Sequence, residues 1–309
     1  MSTNNPAESA GLGALTAHPA VVPAPRSDRR VWLYVLPVCL VYLSVFVAPL
    51  AYTGWTALHE TTYFEIGEFT GLESFVELFS DPTLASSVST TLALSVGALV
   101  VALPLGLFSA IVLNGLPRFK RFTRALLLLP WLMSQAIVGT IWFWFLNPSY
   151  GPATAVMRAL GFGVTDVFAR PETALLAMIL ITAWWSYPIA MLLLLGALQT
   201  IPIELRESLK VDGGGVWQEF MSITLPYLRN AILSVVVVLV VLYTQMVTII
   251  LVTTQGGPLQ GTETLSMRVF NEVFVRYELS NASATALLLF ALSMLLTLVA
   301  LRFRRQESL

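Results

Sequence analysis

The sequence predicts an all-α integral membrane protein with six transmembrane helices, and two observations carry that prediction. Of the 309 residues, 56% are hydrophobic and only 11% charged, against about 25% charged in an average soluble domain. Mean hydropathy is correspondingly high, at +0.77. Several apolar runs also reach the ~20 residues that a helix needs to cross a hydrocarbon core of about 30 Å. The net charge of −1 offers no basic patch for nucleic acid, so membrane lipid is the expected surrounding. The single cysteine, Cys39, lies in an apolar run, which excludes an internal disulfide or a cysteine metal cluster.

Residues 1–28 are rich in Ala, Pro, Ser and Asn without apolar periodicity and read as a disordered tail. The apolar run that follows is too long for the core of a signal peptide. Arg26, Arg29 and Arg30 precede it, so it reads as a retained first span. Residues 29–309 then form one transmembrane domain, with spans at about 31–57, 87–114, 125–147, 173–200, 230–253 and 282–302. Basic residues cluster on alternate connectors: Arg118, Lys120, Arg121 and Arg124 after span 2, Arg206, Lys210 and Arg229 after span 4, and Arg302, Arg304 and Arg305 at the end. The first connector on the other side is acidic, with Glu60, Glu65, Glu68, Glu73, Glu77 and Asp81. The positive-inside rule therefore places both termini and the connector 201–229 in the cytoplasm.

Between spans 1 and 2, the stretch from Gly71 to Leu78 predicts an interfacial amphipathic helix. Phe75, Leu78 and Phe79 share one face, and Asp81-Pro82 is its stop. Span 5 is followed by a turn cluster, Thr253-Thr254-Gln255-Gly256-Gly257-Pro258. Residues 259–281 then form an amphipathic connector with Leu265, Val269, Phe270, Val273 and Phe274 near helical spacing.

Apart from Arg302 at the very end of the sixth, the six spans as drawn contain no Asp, Glu, Lys or Arg. That argues against an ion-coupled carrier, which uses intramembrane charge as its coupling device. A phosphate-binding loop needs a Lys after a glycine-bracketed turn, and neither Lys120 nor Lys210 has the glycines. His18 and His59 have no metal-ligand spacing. No enzyme site, cofactor or metal is therefore expected in this chain, and energy for transport must arrive through a contact.

Polar and aromatic groups within the spans are the candidates for a solute path: Gln135 in span 3, Trp185 and Tyr187 in span 4, and Tyr243 and Gln245 in span 5. A Gln buried in a span needs partners at both ends of its amide. Trp and Tyr also form interfacial belts, and polar side chains also link helices, so these residues have structural roles open to them. Trp131, Trp142 and Trp144 read as belt or packing residues. Spans without a cation suit a neutral, polyhydroxylated ligand held between apolar walls and a few placed polar groups.

The connector 201–229 reads as a docking handle. Thr200 is a candidate cap with Pro202 in the first turn, and Glu204 and Glu207 lie early, where the helix dipole favours them. Gly213-Gly214-Gly215 ends this first helix. A second helix places Val216, Trp217, Phe220, Met221, Ile223 and Thr224 near one face, and Leu225-Pro226 ends it before span 5. Such a hinge and knob suits a groove on another protein.

This connector resembles the cytoplasmic loop of the membrane subunits of binding-protein-dependent ABC importers. That family's pattern is Glu-Ala-Ala, three residues, Gly, nine residues, Ile, one residue, Leu-Pro. Glu207, Gly213, Ile223 and Leu225-Pro226 match it with every interval intact; Asp212 and Phe220 match common family usage, while Ser208 and Leu209 replace the alanines. Gly71-Leu72 with Phe75 and Asp81, and Thr254–Pro258 with Thr262, Thr264 and Leu265, resemble the sugar-permease branch related to the maltose and glycerol-phosphate systems. The resemblance runs from about residue 31 to the C-terminus and implies a type I ABC importer permease fold in a prokaryotic plasma membrane. It implies four partner subunits of three kinds: a second permease, two ATPase subunits that hold ATP and Mg, and an external substrate-binding protein. Glu207, Asp212, Gly213, Trp217, Phe220, Ile223, Leu225 and Pro226 would then couple the permease to the ATPase. A neutral sugar is the implied cargo; a glycerol-phosphate compound or polyamine on the same machinery, an ion-coupled carrier, or a membrane scaffold are the alternatives.

Overall fold

The computed structural model describes residues 30–161 and 166–305, so the tail expected over 1–28 lies outside it. The chain begins with helix α1 (Arg30–Tyr42), a wide π turn at Leu43–Val47 and α2 (Ala48–Thr56). Strands β1 (His59–Thr62) and β2 (Glu65–Phe69) follow, then α3 (Glu73–Ser80), α4 (Leu84–Gly115), α5 (Lys120–Leu132), α6 (Gln135–Phe145) and α7 (Pro152–Ala159). After α8 (Pro171–Leu198) come α9 (Ile203–Val211), α10 (Val216–Glu219), a second π turn at Phe220–Thr224, and α11 (Leu225–Thr244). The chain continues with α12 (Thr248–Thr253), α13 (Leu265–Asn271), a third π turn at Glu272–Arg276, and α14 (Leu279–Arg305). The described residues fall into two compact units, one ending at Leu50 and the other beginning at Ala51.

Among the described residues, five helical stretches are long and apolar enough to cross a membrane: Val35–Thr56, Leu84–Gly115, Pro171–Leu198, Val216–Thr244 and Leu279–Arg302. Counted as one span, the pair α5 and α6, bent by 90°, makes a sixth. Two spans thus differ in form from the sequence expectation. The third is not one helix, because Met133 and Ser134 are extended and split it. The fifth begins at Val216 rather than near residue 230, and Leu225-Pro226 lies inside it instead of ending a separate helix. The second π turn explains this. Leu225 N–H bonds the carbonyl of Phe220, five residues back, and this widened turn carries the helix on into Pro226, which has no N–H to give.

Small residues let the central helices meet. Ala98, Ala102, Gly106 and Ala110 recur every fourth residue along α4 and are all buried. A methyl placed on Gly106 would lie 2.6 Å from Ala190 Cβ and 3.1 Å from the Tyr187 carbonyl oxygen, so α4 and α8 approach backbone to backbone. Val235, Leu239 and Tyr243 of α11 close the same core.

The outer layer contains an antiparallel hairpin, β1–β2, with His59 opposite Phe69 and Thr62 opposite Glu65, in a connector that sequence periodicity left without structure. It docks on the start of α14: Ser280 N–H donates to Thr61 Oγ1 at 2.9 Å, and the Ser280 hydroxyl donates to the His59 carbonyl. Helix α3 ends at Asp81 as expected, with Leu78 and Ser74 buried. Phe79, expected on that same face, is 65% exposed, because the helix buries the side carrying Ser74 and Leu78 and turns the next position outward.

Candidate functional site

The connector 201–229 forms a compact hairpin of helices. Pro202 stands at the N-cap of α9, and Thr200, the expected cap, instead donates its hydroxyl to the Ala197 carbonyl at the end of α8. The other end closes as a Schellman motif. Gly213 has φ +77°, its N–H bonds the Lys210 carbonyl at 3.1 Å, and the Gly214 N–H bonds that of Leu209 at 2.8 Å. Gly214 also makes room for Leu209, one of the two residues that depart from the family pattern. A methyl on Gly214 would lie 2.5 Å from Leu209 Cγ. Arg206 and Glu219, 3.4 Å apart, join the two arms.

The second arm does not present one apolar face. Phe220 and Ile223 are half-buried and Thr224 is buried against the membrane helices, whereas Val216 and Trp217 are 87% and 71% exposed. Val211, at the end of α9, is 86% exposed. Glu207, Asp212, Gly213 and Pro226 are exposed as well, and Leu225 is half-buried. The hairpin therefore offers solvent an apolar knob of Val211, Val216 and Trp217 beside a glycine hinge.

Both irregular spans open onto one cavity. The α5–α6 break and the Gln245–Val247 break between α11 and α12 bring Gln135, Gln245 and Thr248 to a space of about 360 Å³ walled by Val238, Val241 and Leu242. No charged residue lines it. Among the described residues, neither Gln135 nor Gln245 has a hydrogen-bond partner for its amide. Beyond the breaks α6 and α12 pack together at Gly139, where a methyl would meet Val252 Cγ2 at 2.3 Å and the Ile249 carbonyl oxygen at 3.2 Å.

The other three path candidates do not line this cavity, and their polar atoms are in use. Trp185 is 5% exposed, packs with its ring tilted against that of Trp131 at 4.7 Å between centroids, and donates its indole N–H to the Met133 carbonyl at 3.2 Å. The Tyr187 hydroxyl donates to the Leu127 carbonyl at 3.2 Å. Tyr243 is 1% exposed and its hydroxyl shares a 2.6 Å hydrogen bond with that of Ser186. Helix α8 runs unbroken through Pro188.

A buried ion triad, not anticipated from sequence, ties the outer layer. Arg268, 5% exposed, donates from Nη2 to Asp81 at 2.6 Å, from Nε to Glu272 at 2.8 Å and from Nη1 to Thr83 Oγ1 at 3.0 Å. Burial alone would push the Asp81 carboxyl up, but hydrogen bonds from the Thr83 N–H and hydroxyl and from Arg268 outweigh it and hold that group below the usual carboxylate range. Glu272, 1% exposed, is pushed up by burial, which the neighbouring Thr285 hydroxyl, Arg268 and Arg276 offset only in part. Glu272 Oε2 and Thr285 Oγ1 do not reach hydrogen-bond geometry. Arg268 and Asp81 lie 187 positions apart, and nothing local pairs them.

With this geometry established, comparison with known proteins is informative. The family model described as a binding-protein-dependent transport system inner membrane component matches residues 102–306. The trehalose/maltose transport system permease protein MalF of Thermococcus litoralis is 31% identical over 287 residues, 91% of this chain and 96% of that protein. The sulfoquinovosyl glycerol transport system permease protein SmoG of Agrobacterium fabrum is 33% identical over 285 residues, 91% and 92% of the two chains. The sn-glycerol-3-phosphate transport system permease protein UgpA of Yersinia pestis is 30% identical over 274 residues, 88% and 92% of the two chains. A chain of the bacterial alginate ABC transporter, solved in complex with its alginate pentasaccharide-bound periplasmic protein, superposes with a TM-score of 0.77 at 21% identity, covering 90% of this chain and 94% of that one. That last likeness is one of fold.

Proposed function

The chain belongs to the family of binding-protein-dependent transport system inner membrane components, a multi-pass permease of the plasma membrane, and from that premise we propose that it forms half of the path for a neutral sugar in an ATP-driven importer. The observation that carries the cargo class is the cavity at the two helix breaks. Gln135, Gln245 and Thr248 offer it neutral donors and acceptors, and no cation lines it. A phosphorylated or carboxylated solute would call for Arg or Lys, whereas hydroxyl groups pair well with free amides. The relatives named for trehalose/maltose, sulfoquinovosyl glycerol and glycerol 3-phosphate support a sugar or glycerol-phosphate class. The polyamine, lone ion-coupled carrier and scaffold alternatives have no such support.

In this reading both termini and the hairpin 201–229 face the cytoplasm, where the apolar knob at Trp217 seats in a cleft of an ATPase subunit. ATP and Mg are held there, and closure of the ATPase pair moves the hairpin. Because α10, the π turn and α11 form one continuous helix to Thr244, that motion is delivered along the rod to the Gln245 break. A second permease completes the path, and an external binding protein hands over the sugar. In a Cys39→Ser background, Trp217→Cys is expected to crosslink to a co-expressed ATPase subunit, and Gly213→Pro to stop uptake. Absence of the crosslink together with normal uptake in Gly213→Pro would overturn the proposal. For the cargo class, neutral sugars are expected to stimulate ATPase activity in the reconstituted complex where an anionic or cationic solute does not.

A further inference from the structure

Each of the two breaks leaves backbone carbonyls without a helical partner, and at each break one of them is met by a side chain from a neighbouring element. At the first break, the Met133 carbonyl accepts from the indole N–H of Trp185 on α8 at 3.2 Å. At the second, the Met246 carbonyl accepts from the hydroxyl of Ser266 on α13 at 2.8 Å. Ser266 is 8% exposed and Met246 2%. Ser266 Oγ is itself oriented by a 2.9 Å hydrogen bond with Thr264 Oγ1, the residue that caps α13. Helix α13 is anchored independently on either side of Ser266: Leu265 N–H donates to Thr91 Oγ1 of α4 at 2.9 Å, and Arg268 is locked into the ion triad. Trp185 is likewise held by its tilted ring contact with Trp131.

Irregular backbone persists at membrane depth only where its polar groups are satisfied. Losing either side-chain donor leaves a buried carbonyl unpaired, and the cheapest relief is to rewind or shift the break. Gln135 lies two residues after Met133 and Gln245 immediately before Met246, so a shift of either break moves an amide that lines the cavity. We infer that Trp185 and Ser266 are positioning residues of the cargo path: they hold the two breaks open and so set the relative placement of Gln135 and Gln245. The inference deepens the transport reading and rests on it. It also gives Trp185 a role other than contact with the cargo.

The test reads placement directly. Gln135→Cys and Gln245→Cys are introduced together with Cys39→Ser, labelled with nitroxides, and the full chain is reconstituted in lipid with its partner subunits. The dipolar spectrum is expected to give one narrow distance distribution, which Ser266→Ala and Trp185→Phe broaden and shift, while Ser266→Thr keeps the hydroxyl and restores the original distribution. Trp185→Phe retains a ring against Trp131, so it decides the matter if Ser266→Ala does not assemble. An unchanged distribution in the assembled variants, or a Ser266→Thr spectrum as broad as that of Ser266→Ala, would overturn the inference. Failure of the transport reading is separately visible. Uptake that is indifferent to Gln135→Ala and Gln245→Ala would remove the cargo path while leaving the distance result standing.

Discussion

Arg268 holds a full positive charge where the residue is only 5% exposed, which is tolerable because Asp81, Glu272 and Thr83 take three of its donors. Removing one member of a buried ionic set leaves the others uncompensated, at a cost of about 3–5 kcal/mol. Arg268→Met is therefore expected to lower the melting temperature sharply, measured by thermal denaturation in detergent. The triad also has a pH signature. The folded pKa of Glu272 lies above its unfolded value, so its contribution is full below the unfolded pKa and is lost as pH rises through the folded one. Asp81 is shifted down, so its contribution is present above its unfolded pKa and is lost as pH falls through the folded one. Glu272→Gln cannot titrate, and its stability is expected to gain on that of the unsubstituted protein as pH rises from acid towards neutral. A gap that stays constant across that range would show that Glu272 does not titrate as the burial requires.

Two close contacts define what the elements can tolerate. On α4, a methyl at Gly106 would meet Ala190 Cβ at 2.6 Å and Met191 N at 3.0 Å. Backbone cannot rotate out of the way, so Gly106→Ala must part α4 from α8, at roughly 1–3 kcal/mol for overpacking. Thermal melts read that loss directly. In the hairpin, Gly214→Ala would meet Leu209 Cγ at 2.5 Å, Cδ1 at 2.6 Å and the Leu209 carbonyl oxygen at 2.9 Å. Two of those three atoms vanish in Leu209→Ala. The double variant is expected to recover much of the resistance to limited proteolysis that Gly214→Ala loses, a coupling expected only of residues in contact. The hairpin thus answers the bulk of Leu209, where the family pattern has alanine, with a glycine five residues on.

At the scale of the whole molecule, the apolar knob stands clear of the bundle, with Trp217 71% exposed. Trp217→Glu is expected to leave the melting temperature of the permease alone nearly unchanged, within about 0.5 kcal/mol as for an ordinary surface site, and to abolish co-purification with the ATPase subunits. Membrane spans and the family pattern from Glu207 to Pro226 were legible because both are local: twenty apolar residues in a row suffice for a span, and the pattern closes within twenty positions. The hinge at Gly213 was legible for the same reason, since three glycines after a short polar helix announce its end. The breaks were not. Met133-Ser134 and Gln245–Val247 lie inside runs as apolar as any helix, and what stabilises them there is a donor from elsewhere, Trp185 on α8 and Ser266 on α13. The triad of Asp81, Arg268 and Glu272 was equally hidden, its charges joined across 187 positions. By itself the sequence determined that this is a multi-pass helical permease with a glycine-hinged connector between spans 4 and 5, because hydrophobic length and local glycine chemistry need no distant partner. Only the tertiary structure decided where the spans break and which amides meet in the cavity, because a buried carbonyl or charge is stable only when a second, sequence-remote group lies within hydrogen-bond reach.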